Sequence, residues 1–106
     1  MPSKRELLQV LREVRRRHDA GLTLEQLAER AGWSPFDLHR TFSEMVGETP
    51  KGYSLRLRLE RAAARLVSTR DSVLDIALAT GFRSHEVFTR AYRRQFGQTP
   101  ASYRTA

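Results

Sequence analysis

Two arginines, Arg40 and Arg90, stand at matching positions of a segment that occurs twice in this 106-residue sequence. The forked guanidinium group of arginine can donate two hydrogen bonds to the N7 and O6 atoms of guanine. Nearby residues suit other base edges, because the Glu86 carboxylate can accept from the N4 amino group of cytosine and the Phe36 ring can contact the thymine methyl. These residue types predict contacts with base edges in the major groove of duplex DNA.

The repeated segment comprises residues 27–53 and 76–103, which read LAERAGWSPFDLHRTFSEMVGETPKGY and IALATGFRSHEVFTRAYRRQFGQTPASY. The two copies are offset by 49 residues before the turn and by 50 after it, because Arg83 is inserted in the second copy. Each copy reads as a helix, a glycine turn and a second helix that begins at a serine. This order is typical of a helix-turn-helix unit.

Helix signals recur along the chain and strand signals are scarce, so the sequence predicts an all-α fold of about seven helices. Two helix-turn-helix subdomains are expected at about residues 5–48 and 70–104, joined by a long linker helix at about 49–69. Residues that can cap a helix N-terminus mark the predicted starts. These residues are Ser3, Thr23, Ser34, Thr49, Ser72, Ser84 and Thr99.

The first subdomain is expected to begin with two helices. The first is predicted from Ser3 to about Ala20, with Gly21 as its stop, and the second from the Thr23 capping box to about Ala31. The apolar stripe of the first helix is predicted to comprise Leu7, Leu8, Leu11 and Val14.

The long linker helix is expected to set the distance between the two units. At ~1.5 Å per residue, roughly 20 residues of helix are roughly 30 Å long. One turn of B-DNA is ~34 Å. A rigid helix of this length is therefore predicted to hold two reading helices in successive major grooves.

The apolar pattern also predicts which side of each reading helix faces solvent. Leu38 and Phe42 are expected to be buried in the third helix, and Phe88, Tyr92 and Phe96 in the sixth. Trp33 and Phe82, which follow the turn glycines, are expected to fill the core. The remaining faces would then carry the base-reading residues. They comprise Phe36, His39 and Arg40 in the third helix, and His85, Glu86, Thr89 and Arg90 in the sixth.

The charge of the chain favours a polyanionic partner, since 19 Lys and Arg residues against 12 Asp and Glu give a formal net charge of +7. Cations and helix N-terminal residues near the reading helices are predicted to contact DNA phosphates. They are Ser34, Lys51, Arg56, Arg58, Arg83, Ser84, Arg93, Arg94 and Arg104.

Enzymatic chemistry finds no support in the sequence. Cysteine is absent, the three histidines lack metal-ligand spacing, and neither a phosphate-binding loop nor a nucleophile motif occurs. We therefore expect no catalytic residues, no metal and no cofactor. Apolar runs are short, so we expect no membrane segment and a cytoplasmic protein.

The chain resembles the DNA-binding domain of the AraC/XylS family of bacterial transcription regulators. The resemblance rests on the two copies above and on the intervening RLRLERAAARL, and it covers about residues 5–104. The short turn AGWS is most similar to the single-domain MarA/SoxS/Rob-type branch. The resemblance implies that helices three and six bind adjacent major grooves and that base-reading positions fall on the following residues. They are Phe36, His39, Arg40, His85, Glu86, Val87 and Arg90.

The resemblance also implies partners. We expect double-stranded DNA, bound by a monomer, and activation of transcription through contact with RNA polymerase. Two alternatives stay open: the chain is the DNA-binding fragment of a longer effector-responsive regulator, with a missing C-terminal effector domain, or it is an architectural DNA-binding or protein-interaction module without sequence preference. Affinity that is equal across unrelated duplexes and strongly dependent on salt would favour the architectural alternative.

Overall fold

The computed structural model describes residues 3–16, 24–30 and 32–105, and within these ranges the backbone forms seven helices and no strand. This confirms the predicted all-α fold. The helices are α1 (Lys4–Arg16), α2 (Leu24–Arg30), α3 (Pro35–Val46), α4 (Pro50–Ser68), α5 (Val73–Ala79), α6 (His85–Phe96) and α7 (Pro100–Thr105). The predicted end of the first helix near Ala20, its Gly21 stop, the Thr23 capping box and the end of the second helix at Ala31 lie outside the described residues.

Serine side chains fix the starts of α3, α5 and α6. The Ser34, Ser72 and Ser84 hydroxyls accept hydrogen bonds from backbone N–H groups three residues on, at 3.1, 3.0 and 3.1 Å. Each bond satisfies one of the N–H groups that a helix N-terminus leaves without an intrahelical partner. The predicted serine caps of the two reading helices are therefore confirmed.

The turns before α3 and α6 have the same geometry. Gly32 and Gly81 have φ values of +82° and +93°, in the left-handed region that favours glycine. The next residue then turns back, and the N–H groups of Trp33 and Phe82 donate to carbonyls five residues earlier, both at 2.9 Å. As predicted, both aromatic side chains are buried, which ties each turn to the core of its own unit.

The chain divides into two compact units, residues 1–54 and residues 55–106. In the first unit, α1 packs against α2 and α3, and Leu7 and Phe42 are completely buried. The Phe42 ring meets the Tyr53 ring edge-on, with centroids 5.2 Å apart. The inward side of α3 is therefore the one that the apolar pattern predicts.

The prediction that Leu8 belongs to the inward apolar stripe of α1 was wrong. Leu8 is 42% exposed, whereas Leu7 and Val10 are buried. Residues three apart lie on the same side of a helix, so the pair Leu7 and Val10 fixes the inward face, and Leu8, one position further on, is rotated about 100° away from Leu7.

The second unit has an aromatic core. The Tyr92 ring packs between those of Phe88 and Phe96, with centroid distances of 5.6 and 4.6 Å, and its edge contacts Tyr103 at 5.9 Å. Phe88 and Tyr92 are completely buried, and Phe96 packs against the cluster from its rim.

In the described part of the chain, no helix is both long and apolar enough to cross a bilayer.

Replacement of Tyr92 by Phe should preserve the fold and change its response to alkali. Within the described residues, the buried Tyr92 hydroxyl has no hydrogen-bond partner, so its loss should change the free energy of unfolding by at most about 1 kcal/mol at pH 7. Burial, with a smaller contribution from Tyr103, raises the pKa of Tyr92 from 10.0 to about 12. Because the unfolded chain loses this proton first, wild-type stability should fall as the pH rises from about 10 towards 12.

Denaturant unfolding at a series of pH values measures both effects. Tyr92→Phe should reduce the alkaline loss, while Tyr53→Phe, a tyrosine in the first unit, should retain it. A loss of several kcal/mol in Tyr92→Phe at pH 7 would show that the hydroxyl does have a partner.

Candidate nucleic-acid interface

The solvent face of α3 carries an aromatic ring beside a guanidinium group. Phe36 is 71% exposed, although it stands in a helix whose inward side is apolar. Arg40 follows it by four residues, so both side chains lie on the same side of α3, and the Arg40 Cζ atom is 5.7 Å from the Phe36 ring centroid. His39 is exposed, while Arg40 is half-buried and not fully exposed as expected. The face thus presents an apolar surface and hydrogen-bond donors together.

The corresponding face of α6 is concave and richer in charge. Its side chains line a shallow surface cavity of about 560 Å³, formed by His85, Glu86, Thr89, Arg90, Arg93 and Arg94. The predicted base-reading residues of α6 therefore share one surface, except Val87. This residue is half-buried and packs against the core of the second unit. Thr89 is also half-buried, and its hydroxyl oxygen is inaccessible to solvent.

Four of the predicted phosphate-binding cations have exposed side chains that are available to a ligand. They are Lys51, Arg83, Arg93 and Arg94. Among the described residues none of the four has an ion-pair partner. Arg56, in contrast, has an ion-pair partner, because its Nη1 atom is 2.9 Å from the Glu60 carboxylate one helical turn away.

Arg58 is engaged within the second unit. Its Nη1 atom donates to the Gly81 carbonyl at 3.2 Å, and its guanidinium carbon is 5.0 Å from the Phe82 ring centroid. Both contacts hold the turn that precedes α6 against α4. Arg58 therefore helps to position α6, a role that the sequence pattern did not reveal.

Arg104 binds the C-terminal end of α4. Its Nε atom donates to the Leu66 carbonyl at 2.9 Å, and its Nη2 atom to the Thr69 carbonyl at 3.5 Å. The last carbonyls of a helix have no intrahelical donor and carry partial negative charge, so a guanidinium group there stabilises the helix end. The sequence gives no signal for this contact, because 38 residues separate Arg104 from Leu66.

The hydroxyls of Ser34 and Ser84 accept hydrogen bonds from their own helices, as described above. Their place at the helix N-termini leaves them beside backbone N–H groups that point out of the helix. In the described ranges, no group of three His, Asp or Glu side chains could hold a metal ion.

The family model for a helix-turn-helix domain matches residues 27–106, which include both glycine turns and the helices α3 and α6. The crystal structure of the DNA-binding domain of AdpA in complex with a target DNA superimposes with a TM-score of 0.84. The chain belongs to the AraC family of DNA-binding transcription regulators. The AdpA domain is 30% identical, and the match covers 93% of this chain and 89% of that one.

Curated relatives place this AraC-type domain with the MarA/SoxS/Rob branch, as its turn predicts. The regulatory protein SoxS of Escherichia coli is 36% identical over 86 residues, which are 81% of this chain and 80% of SoxS. The right origin-binding protein of Escherichia coli is 42% identical over 86 residues, which are 81% of this chain but 30% of that protein. The chain thus spans less than a third of the length of the right origin-binding protein, one of the first relatives that it matches.

Arg94 and Arg104 should respond differently to the same substitution. Arg94→Gln removes an exposed cation, so it should leave stability within about 0.5 kcal/mol and reduce the slope of log affinity against log salt by about 0.9. Arg104→Gln should lower the free energy of unfolding by about 1–2 kcal/mol and leave that slope unchanged. Thermal unfolding and duplex titrations at several salt concentrations give both quantities. A reduced slope with unchanged stability in Arg104→Gln would assign this residue to phosphate after all.

Proposed function

We propose that the chain is a sequence-specific, double-stranded DNA-binding regulator that inserts α3 and α6 into adjacent major grooves. The observation that carries the proposal is the repeated reading face. In each copy a serine-capped helix follows a left-handed glycine turn, buries an aromatic residue at an equivalent position (Phe42 or Tyr92), and carries an arginine two residues earlier (Arg40 or Arg90). Two residues correspond to about 200° around a helix, so each arginine is attached on the side opposite that aromatic residue, where Arg90 is exposed and Arg40 is half-buried.

The base contacts follow from the chemistry of each exposed group. Arg40 and Arg90 each donate two hydrogen bonds to guanine, Glu86 accepts from the cytosine amino group, and Phe36 packs against a thymine methyl. His39 and His85 add hydrogen bonds at the flanks of the two faces. Val87 and Thr89 contribute least to base reading, because both are half-buried.

Phosphate contacts are proposed from the cations that have no partner among the described residues: Lys51, Arg83, Arg93 and Arg94. The N-termini of α3 and α6, at Ser34 and Ser84, add backbone N–H donors that favour an anion. Arg56 and Arg58 are retained as proposed phosphate contacts, although their guanidinium groups also bind Glu60 and the Gly81 carbonyl. We assign Arg104 to the end of α4, because its guanidinium already donates to two carbonyls there.

The difference between the two faces favours sequence reading over architectural binding. At equivalent repeat positions the first unit has Phe36 where the second has Glu86, and His39 where the second has Thr89. A protein that only neutralises phosphates has no need for a carboxylate on its DNA-facing surface, since that group repels the backbone.

The family resemblance best supports a regulator that activates transcription through contact with RNA polymerase. Such a regulator acts in the cytoplasm. A longer effector-responsive regulator is the second candidate. The lengths of the relatives support either arrangement, because the chain covers 80% of SoxS but 30% of the right origin-binding protein.

A selection from randomised duplexes tests the proposal. Sequence-specific binding predicts an enriched site with two separate blocks of preferred bases, about one helical turn apart from centre to centre. Recovery of duplexes without any shared sequence, together with equal affinity for unrelated duplexes, would establish the architectural alternative.

Arg40→Ala and Arg90→Ala should each relax base preference in a different block of the selected site. Loss of a forked contact to guanine costs about 1–3 kcal/mol of discrimination at its own base pair. The two losses should be nearly additive, because the residues belong to separate units and share no partner base. Binding to a panel of single-base variants at fixed salt measures this. Uniform weakening across the panel would instead make both arginines phosphate contacts.

The free chain should be a monomer and should bind one selected site with a stoichiometry of one. Both reading helices are present in a single chain, so a second copy is not needed to occupy two grooves. Sedimentation of the protein alone and with the selected duplex measures the mass of each species. A stable dimer, or protection of only one groove in a footprint, would contradict the proposed arrangement.

A further inference from the structure

The first unit contains a concave site beside the exposed face of α3. Its volume is about 580 Å³, within the range of small-molecule sites in proteins. The end of α2, the glycine turn, the first half of α3 and the start of α4 form its walls. Most of the lining is apolar and comes from Ala28, Trp33, Pro35, Leu38 and Pro50.

Polar and charged residues complete the lining of this cavity. Lys51 and His39 line it and are exposed, and in the described part of the chain Lys51 has no ion-pair partner. The Thr49 hydroxyl also lines the cavity but accepts from the Gly52 N–H at 3.0 Å, so it is already engaged. Glu29 adds one carboxylate to the lining, which disfavours a ligand with more than one negative charge.

We propose that this cavity binds a small aryl monocarboxylate, with the carboxylate at Lys51 and the aromatic group between the apolar walls. The exposed ring of Pro35, together with the parts of the largely buried Trp33 and Pro50 that reach the cavity, supplies apolar surface for the aryl group. The ammonium group of Lys51 supplies the single complementary charge at the mouth.

Occupation of the cavity would regulate DNA binding. His39, Ser34 and Lys51 line the cavity and are also proposed DNA contacts, so the acid and the duplex compete for the first unit. This part of the inference rests on the proposed function, whereas binding of the acid alone does not.

Fluorescence of Trp33 measures binding directly, because Trp33 is the single tryptophan of the chain and lines the cavity. The probe is 4-phenylbutyrate, titrated into the protein without DNA, with 4-phenylbutan-1-ol as its uncharged analogue. The acid should change the Trp33 emission saturably. Lys51→Gln should weaken the acid by about tenfold and leave the affinity for the alcohol unchanged, because only the acid uses the ammonium group.

The matched control is Lys4→Gln, which removes the other lysine of the chain, an exposed residue of α1 in the same unit. It should alter neither affinity. Absence of a saturable signal, or an equal loss of acid affinity in Lys4→Gln and Lys51→Gln, would overturn the proposed site.

Competition is measured with the duplex obtained from the selection, at constant ionic strength. Phenylbutyrate should raise the apparent Kd of the wild-type protein for this duplex and should have a smaller effect on Lys51→Gln. An unchanged Kd at saturating acid would overturn the regulatory part. If the selection yields no preferred sequence, the proposed function fails, while the fluorescence titration still decides whether the acid binds.

Discussion

Phe42 in α3 and Tyr92 in α6 stand at equivalent positions of the repeat, and solvent is completely excluded from both aromatic side chains. These two rings fix the rotation of their helices, because large side chains at the centre of a close-packed core cannot turn outward without leaving a cavity. Once the rotation is fixed, the residues two positions earlier must face away from the core. The exposure of Arg90, and the placement of Arg40 beside Phe36, therefore depend on packing on the opposite side of the helix.

The arginines of the second unit perform two different tasks. Arg58 and Arg104 donate to backbone carbonyls and hold the turn before α6 and the end of α4 in place. Arg93 and Arg94 extend into solvent beside the concave face of α6. A guanidinium group can do either, since it combines a charge with five donors in a rigid fork. Net charge alone consequently overstates how much of the cationic surface is available to DNA.

The two units use the same backbone for different surfaces. The hydrogen bonds of Trp33 and Phe82 across the glycine turns have the same length, and the serine caps of α3 and α6 are equivalent. The exposed residues diverge, because α3 carries Phe36 and His39 whereas α6 carries Glu86 and three arginines, which are Arg90, Arg93 and Arg94. Membership of the AraC family accounts for the shared backbone, whereas the side chains that differ from one unit to the other give α3 and α6 different surface chemistry.

The sequence by itself determined the seven-helix fold, the serine caps, the buried aromatic residues and the family, because these follow from local spacing and from a repeat visible in one chain. It did not determine that Leu8 faces solvent, since a run of leucines fits more than one helix face until a neighbouring helix selects it. It also gave no indication of the Arg104 contact with α4 or of the cavity at Trp33. Those features bring together residues distant in sequence, and only tertiary packing decides which side chain lies within hydrogen-bonding distance of which carbonyl.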